Sequence, residues 1–130
     1  MKRIISFALI CVMLVGCVFA LASCGAPDSD PKEAKAALEE EKYEVTLRED
    51  VAGYKAYIYA CCNNVNEKSF EEIEIFYYDS KDAAEKAWND SMSEKFEKLV
   101  AAQDEDYKYE YGIDGALIYY GTKAAIKAAK

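Results

Sequence analysis

The chain has 130 residues, a net charge of −8 at pH 7 and no histidine. An acidic chain without a stripe of lysine and arginine interleaved with aromatic residues repels a phosphate backbone, which argues against nucleic-acid binding. The lack of histidine excludes Ser-His-Asp and Cys-His catalysis and the HExxH zinc site, and we predict neither a cofactor nor a metal.

The N-terminus has the pattern of an export signal. Lys2 and Arg3 precede an apolar run over residues 4–22, which leads into Leu-Ala-Ser-Cys24. This ending resembles the lipobox of bacterial lipoproteins, in which a diacylglycerol is transferred to the cysteine sulfur and a signal peptidase cuts just before that cysteine. In its signal and its overall size the chain resembles the small lipoproteins of Gram-positive bacteria. The resemblance implies a signal peptide over residues 1–23, lipidation of Cys24 and a polar tether over residues 24–30.

Two alternatives are open for this region. Leu-Val-Gly-Cys17 fits the same pattern, but a cut there leaves an apolar segment at the mature N-terminus, so Cys24 is favoured. The apolar run could instead stay uncleaved as a membrane span, because residues 4–22 are long enough for a bilayer core of about 30 Å.

Lipidation at Cys24 predicts the location of the protein. A diacylglycerol supplies two acyl chains, enough for stable attachment, so we expect the extracytoplasmic face of the cell membrane as the location. Removal of residues 1–23 takes away two basic and no acidic residues, which lowers the net charge from −8 to −10.

The rest of the chain predicts one α+β domain over residues 31–130. Asp30, Pro31 and Glu33 form a helix start, and that first helix should run to about Lys42. Alternating apolar residues predict strands over residues 43–47, 54–62 and 70–78.

A long helix and a hairpin follow. The helix begins after Asp79 or Ser80 and continues to about Ala102, with a core stripe made of Ala84, Trp88, Met92, Phe96 and Leu99. A strand near residues 107–111, a turn at Asp114-Gly115, a strand over residues 116–121 and a short helix capped by Thr122 complete the domain. We expect an antiparallel sheet of four or five strands with the helices mainly on one face.

Acidic residues and cysteines offer few reactive groups. Glu72 and Glu74 share one strand face and could do acid/base work, and residues 104–106 form an acidic cluster, although exposed surface charge is the favoured interpretation of both. Cys61 and Cys62 are adjacent, so their Cα atoms are too close for an ordinary disulfide.

Tyrosine is the unusual feature of the sheet. Of eleven tyrosines, ten lie between Tyr54 and Tyr120. Tyrosine suits a contact surface because it is large, stiff and polar at its tip, but strands favour tyrosine in any case. If helices cover the face with Ile58, the other face is a candidate binding surface with four aromatic residues: Tyr57, Tyr59, Phe76 and Tyr78.

Two functions follow from these patterns. The first is a lipid-anchored, non-enzymatic binding module of the cell envelope with a protein or cell-wall partner. The alternative is a small envelope hydrolase or carbohydrate-processing enzyme that uses the acidic residues named above.

The lipid attachment predicts the outcome of two cysteine substitutions. Cys24→Ala should abolish incorporation of radiolabelled palmitate and change processing and fractionation, because it removes the acceptor thiol. Cys17→Ala is the matched control and should incorporate palmitate normally. Normal labelling of Cys24→Ala would contradict the assignment of the acceptor.

Overall fold

A computed structural model describes residues 25–51, 53–64, 69–103 and 109–130. One antiparallel sheet contains five strands in the spatial order β1-β2-β3-β5-β4. The strands are β1 (Glu44–Glu49), β2 (Ala56–Asn64), β3 (Ser69–Tyr77), β4 (Tyr109–Asp114) and β5 (Leu117–Thr122). The α+β class and the antiparallel sheet expected from the sequence are confirmed.

The helices occupy the expected places in the chain. They are α1 (Pro31–Glu40), α2 (Lys81–Ala87), α3 (Ser93–Ala101) and α4 (Lys123–Ala128), and a π-helical turn (Trp88–Met92) joins α2 to α3 into one long helix. The side chains of Asp30, Ser80 and Thr122 cap α1, α2 and α4 by accepting backbone N–H groups. Helix α1 ends two residues earlier than expected, since Lys42 has a φ of 70°.

The first face of the sheet lies under α1 and α4. Strand alternation places Ile58, Ile73 and Ile75 on this face, all fully buried. Leu38 from α1 and Ile126 from α4 close the same apolar core. This core is the one that the strand pattern predicts.

The second face carries a separate core under the long helix. Phe96 in α3 is fully buried and packs with Phe76, Ile118 and Tyr120 from β3 and β5. The helices therefore lie on both faces, which corrects the expectation that they lie mainly on one. The physical reason is that β3 and β5 present large apolar side chains on both sides, so each face needs a cover.

The π-helical turn keeps the long helix in register with the sheet. Its core residues recur at intervals of four: Ala84, Trp88, Met92, Phe96 and Val100. In an α-helix each step of four residues advances about 40° beyond a full turn, so the stripe would drift by about 160° over this length. A wider turn at Trp88–Met92 removes part of that drift.

The same turn decides which residue of the last helical turn packs inward. Val100 packs against the second core, whereas Leu99, expected in the stripe, is 40 % exposed. The expected stripe is correct for Ala84, Met92 and Phe96, and Trp88 is half-buried.

Residues 25–30, expected to be a free tether, pack against the first face and are called the strap below. Ala26 and Pro27 are buried. The N–H of Asp28 donates to the Ala129 carbonyl at 2.8 Å, and the Tyr77 hydroxyl donates to the Asp28 carbonyl at 2.8 Å. The strap is therefore part of the folded domain.

Substitution of Phe96 tests the second core. Phe96→Ala should lower the free energy of unfolding by about 3–5 kcal/mol, because Phe96 is fully buried and its removal leaves a cavity in the second core. Leu99→Ala, three residues on, should cost about 1 kcal/mol or less because Leu99 is exposed. Denaturant titration of both variants measures the difference, and equal losses would show that α3 packs through another face.

Candidate functional site

Within the ranges that the structure describes, part of the second face has no helix above it. The Phe96 ring lies 6.2 Å from that of Phe76, 5.1 Å from that of Tyr120 and 6.1 Å from that of Tyr111. These partners belong to β3, β5 and β4, so the long helix lies over one side of the sheet. Over β1 and β2, Thr46 and Arg48 are exposed and Tyr57 and Tyr59 are half-buried. This open half of the sheet is the candidate site.

Two glutamates and three tyrosines form a hydrogen-bonded group on this surface, called the Tyr–Glu face below. The Tyr57 hydroxyl donates to Glu74 Oε1 at 2.8 Å. The Tyr59 hydroxyl donates to Glu72 Oε2 at 3.0 Å, and the Tyr109 hydroxyl donates to Glu72 Oε1 at 2.6 Å. Both carboxylates are thus held in place by tyrosines from other strands, β2 and β4.

Strand register explains the bonds from β2. Tyr57 is paired with Phe76 and Tyr59 with Glu74, so each hydroxyl reaches the glutamate diagonally next to its partner. Diagonal neighbours on adjacent strands are within reach of long aromatic side chains. The two rings therefore lean the same way across the sheet, and their hydroxyls end at β3.

Tyr109 joins the group from the edge strand β4, on the same face of the sheet. It lies on β4 and reaches across β5, where its register partner is the small residue Thr122. The Tyr109 ring stacks on Tyr120 at 5.1 Å, and Tyr120 in turn stacks on Phe96 at 5.1 Å. Stacked aromatic rings connect the buried core with Glu72 and give this carboxylate a rigid setting.

A glycine allows β3 and β5 to approach closely next to Glu72. A Cβ at Gly121 would lie 2.6 Å from the Glu72 carbonyl oxygen and 2.8 Å from the Ile73 Cα, closer than real contacts allow. Glycine therefore sets the spacing that brings Tyr109 within reach of Glu72.

The three tyrosines are proton donors at neutral pH. Burial, the hydrogen bond to Glu72 and the negative charge of that residue raise the pKa of Tyr59 to about 12. The same causes raise the pKa of Tyr109 above its usual range, and burial with the bond to Glu74 does so for Tyr57. Phenolate chemistry is therefore not available at pH 7.

The open face is acidic around its aromatic group. Glu44 and Arg48 flank it on β1, opposite Cys61 and Tyr57 respectively. With Glu72 and Glu74, three carboxylates face one guanidinium. The surface combines fixed negative charge with the flat faces of tyrosine rings.

Of the four aromatic residues expected on the binding surface, two remain accessible. Tyr57 and Tyr59 are half-buried on the open half, whereas Phe76 and Tyr78 are each 8 % exposed and belong to the second core. Tyr54 closes this corner, with its ring 5.3 Å from Phe76 and 5.5 Å from Tyr78. The accessible surface is therefore smaller and more acidic than the sequence pattern indicates.

The two adjacent cysteines are free thiols, and both are half-buried. Cys61 shares the second face with Glu72, its register partner, while Cys62 points to the first face. Their geometry agrees with the expectation that they do not pair with each other.

Several predicted residues lie outside the described residues, namely Cys24 with its signal region and the acidic cluster over residues 104–106. Within the described ranges, no three His, Cys, Asp or Glu side chains are grouped to hold a metal ion. The part of the chain that the structure covers also has no helix long and apolar enough to cross a membrane.

Comparison with known proteins gives no match: no protein-family model, no curated protein and no solved structure is similar to this chain. The site must therefore be interpreted from its own chemistry.

Removal of the charge on Glu72 tests the hydrogen-bonded group. Glu72→Gln should lower the pKa of Tyr59 and of Tyr109, because both hydroxyls donate to the Glu72 carboxylate and lie close to its negative charge. Glu74→Gln is the matched control and should mainly lower the pKa of Tyr57. Spectrophotometric titration of tyrosine compares the variants.

Folding and the ionisation of these tyrosines are linked equilibria, so the raised pKa values determine how stability changes with pH. A tyrosine whose pKa is raised by folding from about 10 stabilises the fold below pH 10, and this contribution is lost as the pH rises through the folded pKa. Alkaline unfolding should therefore depend less on pH in Glu72→Gln. Unchanged titration in that variant would show that Glu72 does not bond these hydroxyls in solution.

Proposed function

We propose that this protein is a lipid-anchored binding module of the cell envelope whose Tyr–Glu face takes a cationic polypeptide segment. The observation that supports the binding role is the pair of carboxylates held by three tyrosine hydroxyls on the open half of the sheet. The lipid anchor rests on the sequence pattern that ends in Cys24.

The chemistry of the face favours lysine and arginine side chains. Each carboxylate oxygen has more than one lone pair, so Glu72 and Glu74 can accept further hydrogen bonds while they keep their tyrosine donors. Charge-assisted bonds to ammonium and guanidinium groups are among the strongest that a surface can make. The flat faces of Tyr57 and Tyr59 add cation–π attraction for the same groups.

Preorganisation supports binding more than catalysis. A carboxylate fixed by tyrosines loses little conformational entropy when a partner arrives. The overall charge of −10 after removal of residues 1–23 attracts cationic partners over a distance set by the ionic strength. Position and charge together favour recognition of a basic segment.

The enzymatic alternative has less support. Glu72 and Glu74 keep lone pairs for a substrate group, but the groups bonded to them are tyrosine hydroxyls, which donate to the carboxylates rather than accept a proton from them. The tyrosines stay protonated at pH 7 and do not act as bases. A hydrolase based on Glu72 and Glu74 therefore remains the second candidate.

A charge-neutral variant of the face tests the binding role. Glu72→Gln/Glu74→Gln should weaken binding of a synthetic oligolysine peptide by about tenfold, because two charge-assisted contacts are lost. Glu33→Gln/Glu40→Gln changes the net charge equally at exposed residues of α1, on the opposite face of the sheet, and should bind nearly as well as the parent chain. Calorimetric titration of the full chain measures both.

The salt dependence of the affinity distinguishes binding at the Tyr–Glu face from general attraction to an acidic protein. Raising the salt from about 0.01 M to about 1 M shortens the Debye length from about 30 Å to about 3 Å, which should weaken the parent chain and the control far more than the neutral face variant. Equal loss of affinity in both double variants would reject the Tyr–Glu face as the binding site.

A further inference from the structure

The strap leaves almost no free chain between the predicted lipid and the folded domain. Ala26 is 5 % exposed, and Cys24 is two residues before it. Consecutive Cα atoms are about 3.8 Å apart, so the Cα of Cys24 is within about 8 Å of the Cα of Ala26. A free tether of seven residues would reach much farther.

Bonds to three parts of the domain fix the strap. Asp28 bonds through its N–H to Ala129, beyond the end of α4, and through its carbonyl to the hydroxyl of Tyr77 on β3. Its side chain accepts the N–H of Asp30 at 2.8 Å, and Asp30 caps α1. The strap therefore lies in the layer formed by α1 and α4, on the face of the sheet opposite the Tyr–Glu face.

We propose that the strap clamps lipidated Cys24 to the α1 and α4 layer, so that this layer rests on a phospholipid surface and the Tyr–Glu face is held away from it. This inference rests on the lipid anchor of the proposed function. The strap then orients the whole domain, with the outer surface of the α1 and α4 layer against the membrane.

Charge on α4 agrees with contact at a lipid surface. Lys123 and Lys127 on α4 and Lys130 just beyond its end are exposed, and residues 115–130 contain no acidic residue. Helix α1 in the same layer has exposed acidic residues, among them Glu33 and Glu40. Three lysines on the α4 side outnumber the one nearby carboxylate of Asp28, so this is the side of the layer that suits anionic headgroups.

This orientation limits which partners the Tyr–Glu face can reach. A domain of this size has a radius of gyration of about 13 Å. Without a flexible spacer, the Tyr–Glu face can meet only groups within about one domain height of the lipid. The cationic segment that it takes should therefore belong to a molecule held at or near the same membrane.

Lysine reactivity in vesicles tests the clamp. The acylated protein is reconstituted in vesicles of phosphatidylcholine mixed with the anionic lipid phosphatidylglycerol and treated with a bulky, membrane-impermeant amine reagent, and the sites are mapped by mass spectrometry. Lys130, next to Ala129, should react several-fold more slowly than Lys86 and Lys95, which are exposed on the long helix of the opposite face.

A spacer variant is the matched control. An insertion of about ten glycine and serine residues between Cys24 and Gly25 leaves the strap intact and adds a flexible reach of about 17 Å. In this variant Lys130 should react several-fold faster relative to Lys86 and Lys95. A ratio that is the same with and without the spacer would overturn the clamp.

The outcomes separate the clamp from the anchor. If the N-terminal peptide carries acyl mass and the protein floats with the vesicles while the lysine ratio is insensitive to the spacer, the anchor holds and the clamp is rejected. If the peptide carries no acyl mass, the anchor fails and the clamp fails with it. Slower reaction of Lys86 and Lys95 than of Lys130 would reverse the orientation and also reject the proposal.

Discussion

The structure depends on the need of β3 to bury side chains on both of its faces. Ile73 and Ile75 point to the first face and Phe76 to the second, so helices are required on both sides of one sheet. The chain supplies one long helix for the second face, and this helix lies over β3, β5 and β4. No helix of the described residues lies over the remainder of that face, above β1 and β2, and the tyrosines and glutamates are accessible there.

Glu72 connects the parts of this open surface. Its carboxylate accepts hydrogen bonds from the hydroxyls of Tyr59 on β2 and Tyr109 on β4. These two residues are far apart in sequence and are brought together by the strand order. Stacking of Tyr109 on Tyr120 and of Tyr120 on Phe96 extends the group into the core. Packing and surface chemistry are therefore coupled, because a shift of α3 would displace the aromatic stack that positions the Glu72 carboxylate.

Local patterns in the sequence predict most elements, and tertiary placement is what they miss. Caps such as Ser80 and alternation such as that of Ile73 and Ile75 act within a few residues, so they can be recognised without a structure. The strand order decides that Tyr109 meets Glu72, and no local pattern encodes that contact. The burial of Ala26 and Pro27 was missed for a similar reason, since a short polar segment after a signal has no periodicity to indicate packing.

The π-helical turn constrains how this chain can change in length. It amounts to one extra residue within an α-helix, taken up in a wider turn so that Ala84 and Phe96, twelve positions apart, face the same core. About eleven positions complete three turns of a regular α-helix, so deletion of one residue between Trp88 and Met92 would convert this turn to α-helix and leave Phe96 directed at Tyr120 and Tyr111. Insertion of a further residue would instead rotate everything downstream by about 100° and turn Phe96 away from both rings. Descendants of this sequence can therefore lose a residue at this turn, whereas the stretch from Lys81 to Ala101 should not gain one.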